Sequence, residues 1–275
     1  MYNLFPIVGK DFSELIGNRS VVVVIFLFIC FVIFTSIYSN ELIISSTSRE
    51  DVLQILLYQL SYAIMSYGSI IAVLIGFFSM SNEKIGKAMN TLVTKPVYRD
   101  TIINGKILTC CLFLTIILSF AVAIYTAVIV ILGGELVGSV LSDFLVRLPL
   151  VFSVVFLDAL FYMSLSILLS ILITRTGVGL LSTMVLFIFL DVIEPSVSFA
   201  ANIATILGSN DLYYYLSHLS PSSTLYTLIL NGLFDPSVSQ ESVLLSCYGD
   251  IVKIILFIVI LLFLCYSSFI RRDIV

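Results

Sequence analysis

Few residues in this sequence are of a type that does chemistry, and the most conspicuous is a carboxylate in apolar company. Asp158 stands in "VVFLDALFYMS", with almost nothing polar around it. If that run crosses a bilayer, a charge at its centre costs about 3 kcal/mol on insertion scales, so the side chain faces protein or water rather than lipid. Two chemistries fit. One is a translocation-path or proton-responsive group; the other is a neutral acid hydrogen-bonded to a Ser, Thr or Tyr of a neighbouring helix. Asp191, near the outer end of another apolar run, lacks the flanking glycine motif that an intramembrane aspartyl protease would show. His218 is the only histidine, and a lone histidine is more often a surface residue than a ligand. Of the five cysteines, Cys30, Cys110, Cys111 and Cys265 fall in apolar runs and only Cys247 lies outside them, with no CxxC, which argues against structural zinc. The Gly-Lys pairs at 9–10, 86–87 and 105–106 are followed by Asp, Ala and Ile, so none is a phosphate loop. Neither G-x-S-x-G nor H-E-x-x-H occurs, which disfavours hydrolase and zincin chemistry.

The elements that would position Asp158 follow from composition. Sixty per cent of the 275 residues are hydrophobic and 11% are charged, with a mean hydropathy of +1.17. A soluble fold of this length needs a polar shell that such a chain cannot supply. Runs of about 20 apolar residues cross a hydrocarbon core roughly 30 Å thick. Six such runs are expected as transmembrane helices: 21–38, 56–80, 107–132, 148–173, 178–193 and 251–270. The fold class is therefore an all-α integral membrane protein, a single transmembrane domain over 1–275, with an outer region at 194–250. Ten of the thirteen basic residues fall on one side of these spans, leaving Arg49, Arg147 and Lys253 on the other. Cytoplasmic loops carry the excess of Lys and Arg, so both termini are expected in the cytoplasm of a multi-pass cell-membrane protein. Trp is absent, and Tyr38, Tyr58, Tyr213, Tyr214, Tyr215 and Tyr248 are expected near the interfaces.

Two segments outside the spans carry helical patterns. Before the first span, Leu4, Val8, Phe12, Leu15 and Ile16 recur at helical spacing, with Lys10, Asp11, Glu14 and Asn18 expected on the other side. This predicts an amphipathic helix in the inner interface, with Phe12, Leu15 and Ile16 on its membrane-facing stripe. Between spans two and three, "SNEKIGKAMNTLVTKPVYRDTIINGK" holds five of the thirteen cations. Ile85, Met89, Leu92 and Val93 form one stripe and Glu83, Lys84, Lys87 and Asn90 face away. Pro96 stops this helix, since it lacks the N–H and disfavours a helical residue before it. Asp100 stands where a carboxylate would support a restart into span three. A plain positive-inside loop would explain the cations but not the apolar stripe and the proline. Beyond span five, Ser220 and Pro221 in "HLSPSSTLYTLILNGLF" have a helix-start arrangement, so short outer helices are expected there.

The segment between spans two and three resembles that of ABC-2 type permeases. These carry an acidic residue, a Gly-Thr, a Leu-rich helix, a Pro followed by an Arg, and a Gly-Lys at the entrance to span three. Here those positions read Glu83, Gly86-Lys87, "AMNTLVTKP", Pro96, Arg99 and Gly105-Lys106; Lys87 replaces the usual Thr, and Met89 and Asn90 interrupt the Leu-rich run. The amphipathic start, "LSPSSTLY" and the closing "FIRRDIV" are similar too, so the resemblance covers nearly the whole chain. Length and architecture are similar to the small permease group of nitrous-oxide reductase maturation.

The resemblance implies a transport subunit rather than an enzyme, served by two copies of a cytoplasmic ABC ATPase that binds ATP and Mg, while this chain binds no cofactor. It implies that 82–95 is a coupling helix, with Glu83, Ile85, Gly86, Met89, Leu92, Pro96, Arg99 and Lys106 as the ATPase-coupling residues. It further implies a second permease copy, or a homologous one, with spans one, two and five near the dimer axis. The outward act is then export of an amphiphilic solute, or a mechanical change passed to a protein partner on the outer face; nucleic acid is not expected. The competing reading is an ATP-independent six-helix carrier that uses Asp158 as its ion-coupling carboxylate.

Overall fold

The structure is a computed structural model that describes residues 4–46, 48–85, 99–173, 175–190 and 232–271; for Leu4, residues 82–85 and Arg99 it describes the backbone alone. Among these residues every regular element is a helix. They are α1 (Leu4–Gly17), α2 (Arg19–Ser45), α3 (Arg49–Ala63), α4 (Ser69–Ile85), α5 (Arg99–Gly138), α6 (Leu141–Leu172), α7 (Thr176–Ile188) and α8 (Gln240–Arg271). A single π-helical turn, Ile64–Gly68, joins α3 to α4, so the two run on as one interrupted rod.

Local chemistry explains the helix starts. Asn18 is extended, and its side chain accepts from Ser20 N at 3.0 Å, which satisfies an otherwise orphaned amide at the head of α2. Ser48 does the same for Asp51 N at 3.1 Å, and Glu50 and Asp51 place negative charge at the positive end of α3. Gly134, at φ 53°, is where α5 kinks near its C-terminal end, a backbone conformation that a residue with a Cβ resists.

Five helical stretches are long and apolar enough to cross a membrane: 19–45, 49–81, 100–138, 141–172 and 240–271. The predicted fifth span, 178–193, corresponds to the 13-residue α7, about 20 Å at 1.5 Å per residue; residues 191–193 lie outside the described set. The other helices overrun their expected boundaries. The 32 residues of α6 reach about 48 Å, well beyond a hydrocarbon core of about 30 Å. The reason is that helix ends project into the interfaces, where polar residues continue a helix that hydropathy alone would stop.

Many large apolar side chains lie on the outside of the bundle. Phe26 and Phe34 on α2, Leu181 on α7, and Val259 and Phe263 on α8 are all exposed. A surface of that kind is stable against lipid and not against water. Inside, the helices approach through small residues. A Cβ on Gly76 of α4 would meet the Met163 carbonyl oxygen of α6 at 2.6 Å, so only glycine allows this contact. Ser166 donates to Val73 O at 2.5 Å beside it, and Cys265 of α8 donates to Ser164 O at 3.5 Å. Tyr125 of α5, fully buried, donates to Leu56 O at 3.2 Å and lies 3.1 Å from the Ser39 hydroxyl, tying α5 to α3 and α2.

Candidate functional site

The ends of α4 and α5 that flank residues 86–98 form the first candidate site. Glu83 and Ile85 belong to the last turn of α4, and Arg99 opens α5. Gly86, Met89, Leu92 and Pro96 lie outside the described residues. The site's one fully described predicted member is Lys106, and it is not on the surface. Its residue is 2% exposed; its Nζ donates to Asp11 Oδ2 of α1 at 3.2 Å and to Ser79 O of α4 at 3.1 Å. Any part that Lys106 plays in coupling therefore passes through the groups it holds, not through contact with a partner protein.

This pair also corrects the face assigned to α1. Asp11, expected among the polar residues, is 5% exposed and turned toward α5. Ile16 stays 52% exposed, whereas Leu15 and Phe12, expected with it on the membrane stripe, turn into the bundle: Leu15 is buried and Phe12 packs edge-on against Phe113 with centroids 5.2 Å apart. The docked face reads Ile7, Val8, Asp11, Phe12 and Leu15, a helical stripe with one carboxylate in it. Sequence reading scored Asp11 by polarity and put it outside; the signal that could have placed it was its i, i+4 spacing from Ile7 and Leu15. The Gly105-Lys106 pair now has a physical account: a Cβ at Gly105 would meet Ile7 Cγ2 at 2.9 Å, so the glycine lets α1 close on α5 and the lysine pairs with the carboxylate. At the same end Tyr266 of α8 lies beside the Asp100 carboxylate at the head of α5.

Asp158 sits at 4% exposure on α6, where Ser69 Oγ donates to its Oδ2 at 2.8 Å. Ser69 is the first residue after the π turn. A turn of that kind widens the helix by one residue and occurs often at functional sites. The contact thus pins the point where α3 changes into α4, and it is of the hydrogen-bonded kind that was one of the two options for this carboxylate.

A polar cluster occupies the opposite end. Arg147 donates from Nη1 to Asp235 O at 3.0 Å and from Nη2 to Pro236 O at 2.8 Å and Val238 O at 3.1 Å. Arg49 pairs with Asp143 at 3.0 Å, and Gln240 Nε2 donates to Val146 O at 3.2 Å. Arg49, Asp143, Val146, Arg147 and Gln240, with Glu50, Leu53, Val140 and Pro236, line a cavity of about 550 Å³. Ser237 donates to Asp235 Oδ1 from its hydroxyl at 2.7 Å and its amide at 2.9 Å; these bonds, aided by Arg147, hold that carboxyl below its ordinary value. Sequence reading placed Arg49 and Arg147 at this end but gave them no role, since their partners come from other helices.

An all-helical bundle with a lipid-facing exterior, and polar groups gathered at its two ends, defines a multi-pass membrane protein. Residues 5–274 match the family model described as ABC-2 family transporter protein, and the chain belongs to that family: it is the membrane permease component of an ABC transporter. Members of this family generally work with a cytoplasmic ABC ATPase partner, and the permease is a transport component rather than a catalytic one. No curated protein matches the chain.

Proposed function

We propose that this permease receives motion from a separate ATPase at its inner end and converts it into export of a solute, or into a mechanical change at the outer face. The segment that takes the push is the coupling helix 82–95 with the residues that follow it, so that Glu83, Ile85, Gly86, Met89, Leu92, Pro96 and Arg99 are presented to the ATPase. The observation that supports this reading is how firmly both flanks of the segment are tied into the bundle. On one side α4 meets α6 backbone to backbone at Gly76; on the other α5 is held to α1 and α4 by Lys106. A push on a segment with such flanks moves helices instead of being absorbed by a loose loop. ATP-bound and free ATPase must contact the segment differently for any work to reach the membrane.

In this reading the five long helices and α7 make six spans, with both termini in the cytoplasm. Two permease copies assemble with two ATPases, which carry the ATP and Mg. Length and architecture favour the small-permease group similar to the nitrous-oxide reductase maturation permease. The burial of Asp158 against Ser69 favours a positioning role for it over the ion-coupling role that an ATP-independent carrier requires.

The test is the double variant Met89→Asp/Leu92→Asp, co-expressed with its cytoplasmic ABC ATPase partner and purified in detergent. The expected result is a folded permease that no longer retains the ATPase or stimulates its hydrolysis. Undiminished co-purification together with undiminished stimulation would overturn the coupling assignment.

A further inference from the structure

We propose that Asp11 is a positioning residue that clamps α1, the inner end of α4 and the entrance of α5 into one unit. Its consequence for transport rests on the coupling reading above; the clamp itself does not. The Lys106 ammonium is held from two sides, by the Asp11 carboxylate at 3.2 Å and the Ser79 carbonyl at 3.1 Å, and the two charged side chains are 2% and 6% exposed. Three elements that are separate in sequence thus meet at one desolvated charge.

The physics makes this an all-or-none contact. A surface ion pair yields gradually, because water replaces each lost partner, and is worth little. A buried pair separated within the protein loses its attraction with no water at hand to replace it, which is strongly unfavourable. The pair therefore resists the sliding of α1 along α5 far more than the apolar contacts around it, which tolerate small shifts. Ile7 against Gly105, one turn before Asp11, and Phe12 against Phe113, one residue after it, fix the register in which the carboxylate reaches the lysine. A helix that only floated in the interface would have no use for a buried carboxylate. One that must travel with α5 does: motion delivered to the start of α5 moves α1 and the end of α4 as well, and the exposed Phe5 and Ile16 of α1 carry it into the surrounding lipid.

The chain contains its own reporter. Cys110, one turn beyond Lys106, is fully buried and lies within interaction range of Ser79, Lys106 and Asp11. The experiment uses the full-length permease in lipid nanodiscs, with Cys30, Cys111, Cys247 and Cys265 replaced by Ala, and reads two quantities. The first is the rate of maleimide labelling of Cys110. The second is stimulation of the co-expressed ABC ATPase. Asp11→Asn is expected to label at least about tenfold faster, because α1 loses its charged tie to Lys106 and opens locally, and to lose most of the stimulation. The charge swap Asp11→Lys/Lys106→Asp is expected to restore protection and part of the stimulation. The apolar pair Asp11→Leu/Lys106→Met is expected to fold and stay protected. That outcome would show that stability alone does not depend on the charges.

Unchanged labelling in Asp11→Asn would overturn the clamp, and so would failure of both double variants to recover protection. Labelling that responds as expected, in a chain whose parent gives no ATPase stimulation, would support the clamp and count against the coupling reading.

Discussion

At the scale of single residues, this protein uses its few intramembrane polar groups as ties between helices. Asp158 accepts from Ser69, and both are buried, so the contact is worth on the order of 1 kcal/mol net, and more if one partner is left alone. Asp158→Asn keeps an acceptor for Ser69 and is expected to melt within about 1 kcal/mol of the parent, with transport of unaltered pH dependence. Asp158→Leu strands Ser69 and is expected to cost about 1–3 kcal/mol. Thermal unfolding in detergent, with activity followed across pH, separates these outcomes, and an altered pH profile in Asp158→Asn would restore the carrier reading. Arg147 is a different case. Its planar fork reaches three carbonyls of the 235–238 turn at once, a geometry that an ammonium cannot reproduce. Arg147→Lys is expected to cost about 1–3 kcal/mol and to expose that turn to protease, which limited proteolysis from the outer side would reveal.

At the scale of elements, the junction between α3 and α4 is the most informative. A π turn contains one residue more than an α-helix needs, so deleting a residue from 64–68 should straighten the rod while leaving the facing residues on both sides in register. We expect a Met65 deletion to fold and to associate with the ATPase but to lose stimulated activity, if the turn bends during the cycle. Normal activity in that deletion would make the turn a packing detail. Gly76 tests the other property of α4, its attachment to α6. The Met163 carbonyl leaves no room for a Cβ, and overpacking of this kind costs about 1–3 kcal/mol. Gly76→Ala should therefore lower the melting temperature clearly, whereas Gly177→Ala, whose Cβ meets nothing within 4 Å, should change it little.

At the scale of the whole molecule, the two ends of the bundle differ in kind. One gathers α1, Lys106 and Asp100; the other gathers Arg49, Asp143, Arg147 and Gln240. The orientation we propose, argued from the distribution of cations, has the first end in the cytoplasm. In intact cells, a cysteine introduced as Ser48→Cys should react with a membrane-impermeant maleimide, and one introduced as Ser13→Cys on α1 should not until the membrane is opened. The reverse pattern would invert the topology and place the coupling segment where no ATPase can reach it.

What the sequence determined alone was everything that depends on the solvent. Sixty per cent hydrophobic residues in runs of about 20 dictate helices in lipid, because an unpaired backbone amide is unaffordable there. The helix before the first span, the placement of Arg49 and Arg147 at one end, and the Gly-Lys pair at the head of span three were legible for the same reason: charge and periodicity are local properties. What the tertiary structure decided was which polar group meets which. Spacing sets Asp11 on the apolar stripe and Glu14 off it, but it does not name their partners: Asp11 faces Lys106 ninety-five positions away, and Glu14 pairs with Lys10 on the exposed side of the same helix. Nor does local pattern say that Ser69 turns to Asp158, or that Gly76 rather than Gly177 is where two backbones touch. A side chain's partner is set by how helices cross, and crossing depends on the close packing of all of them together.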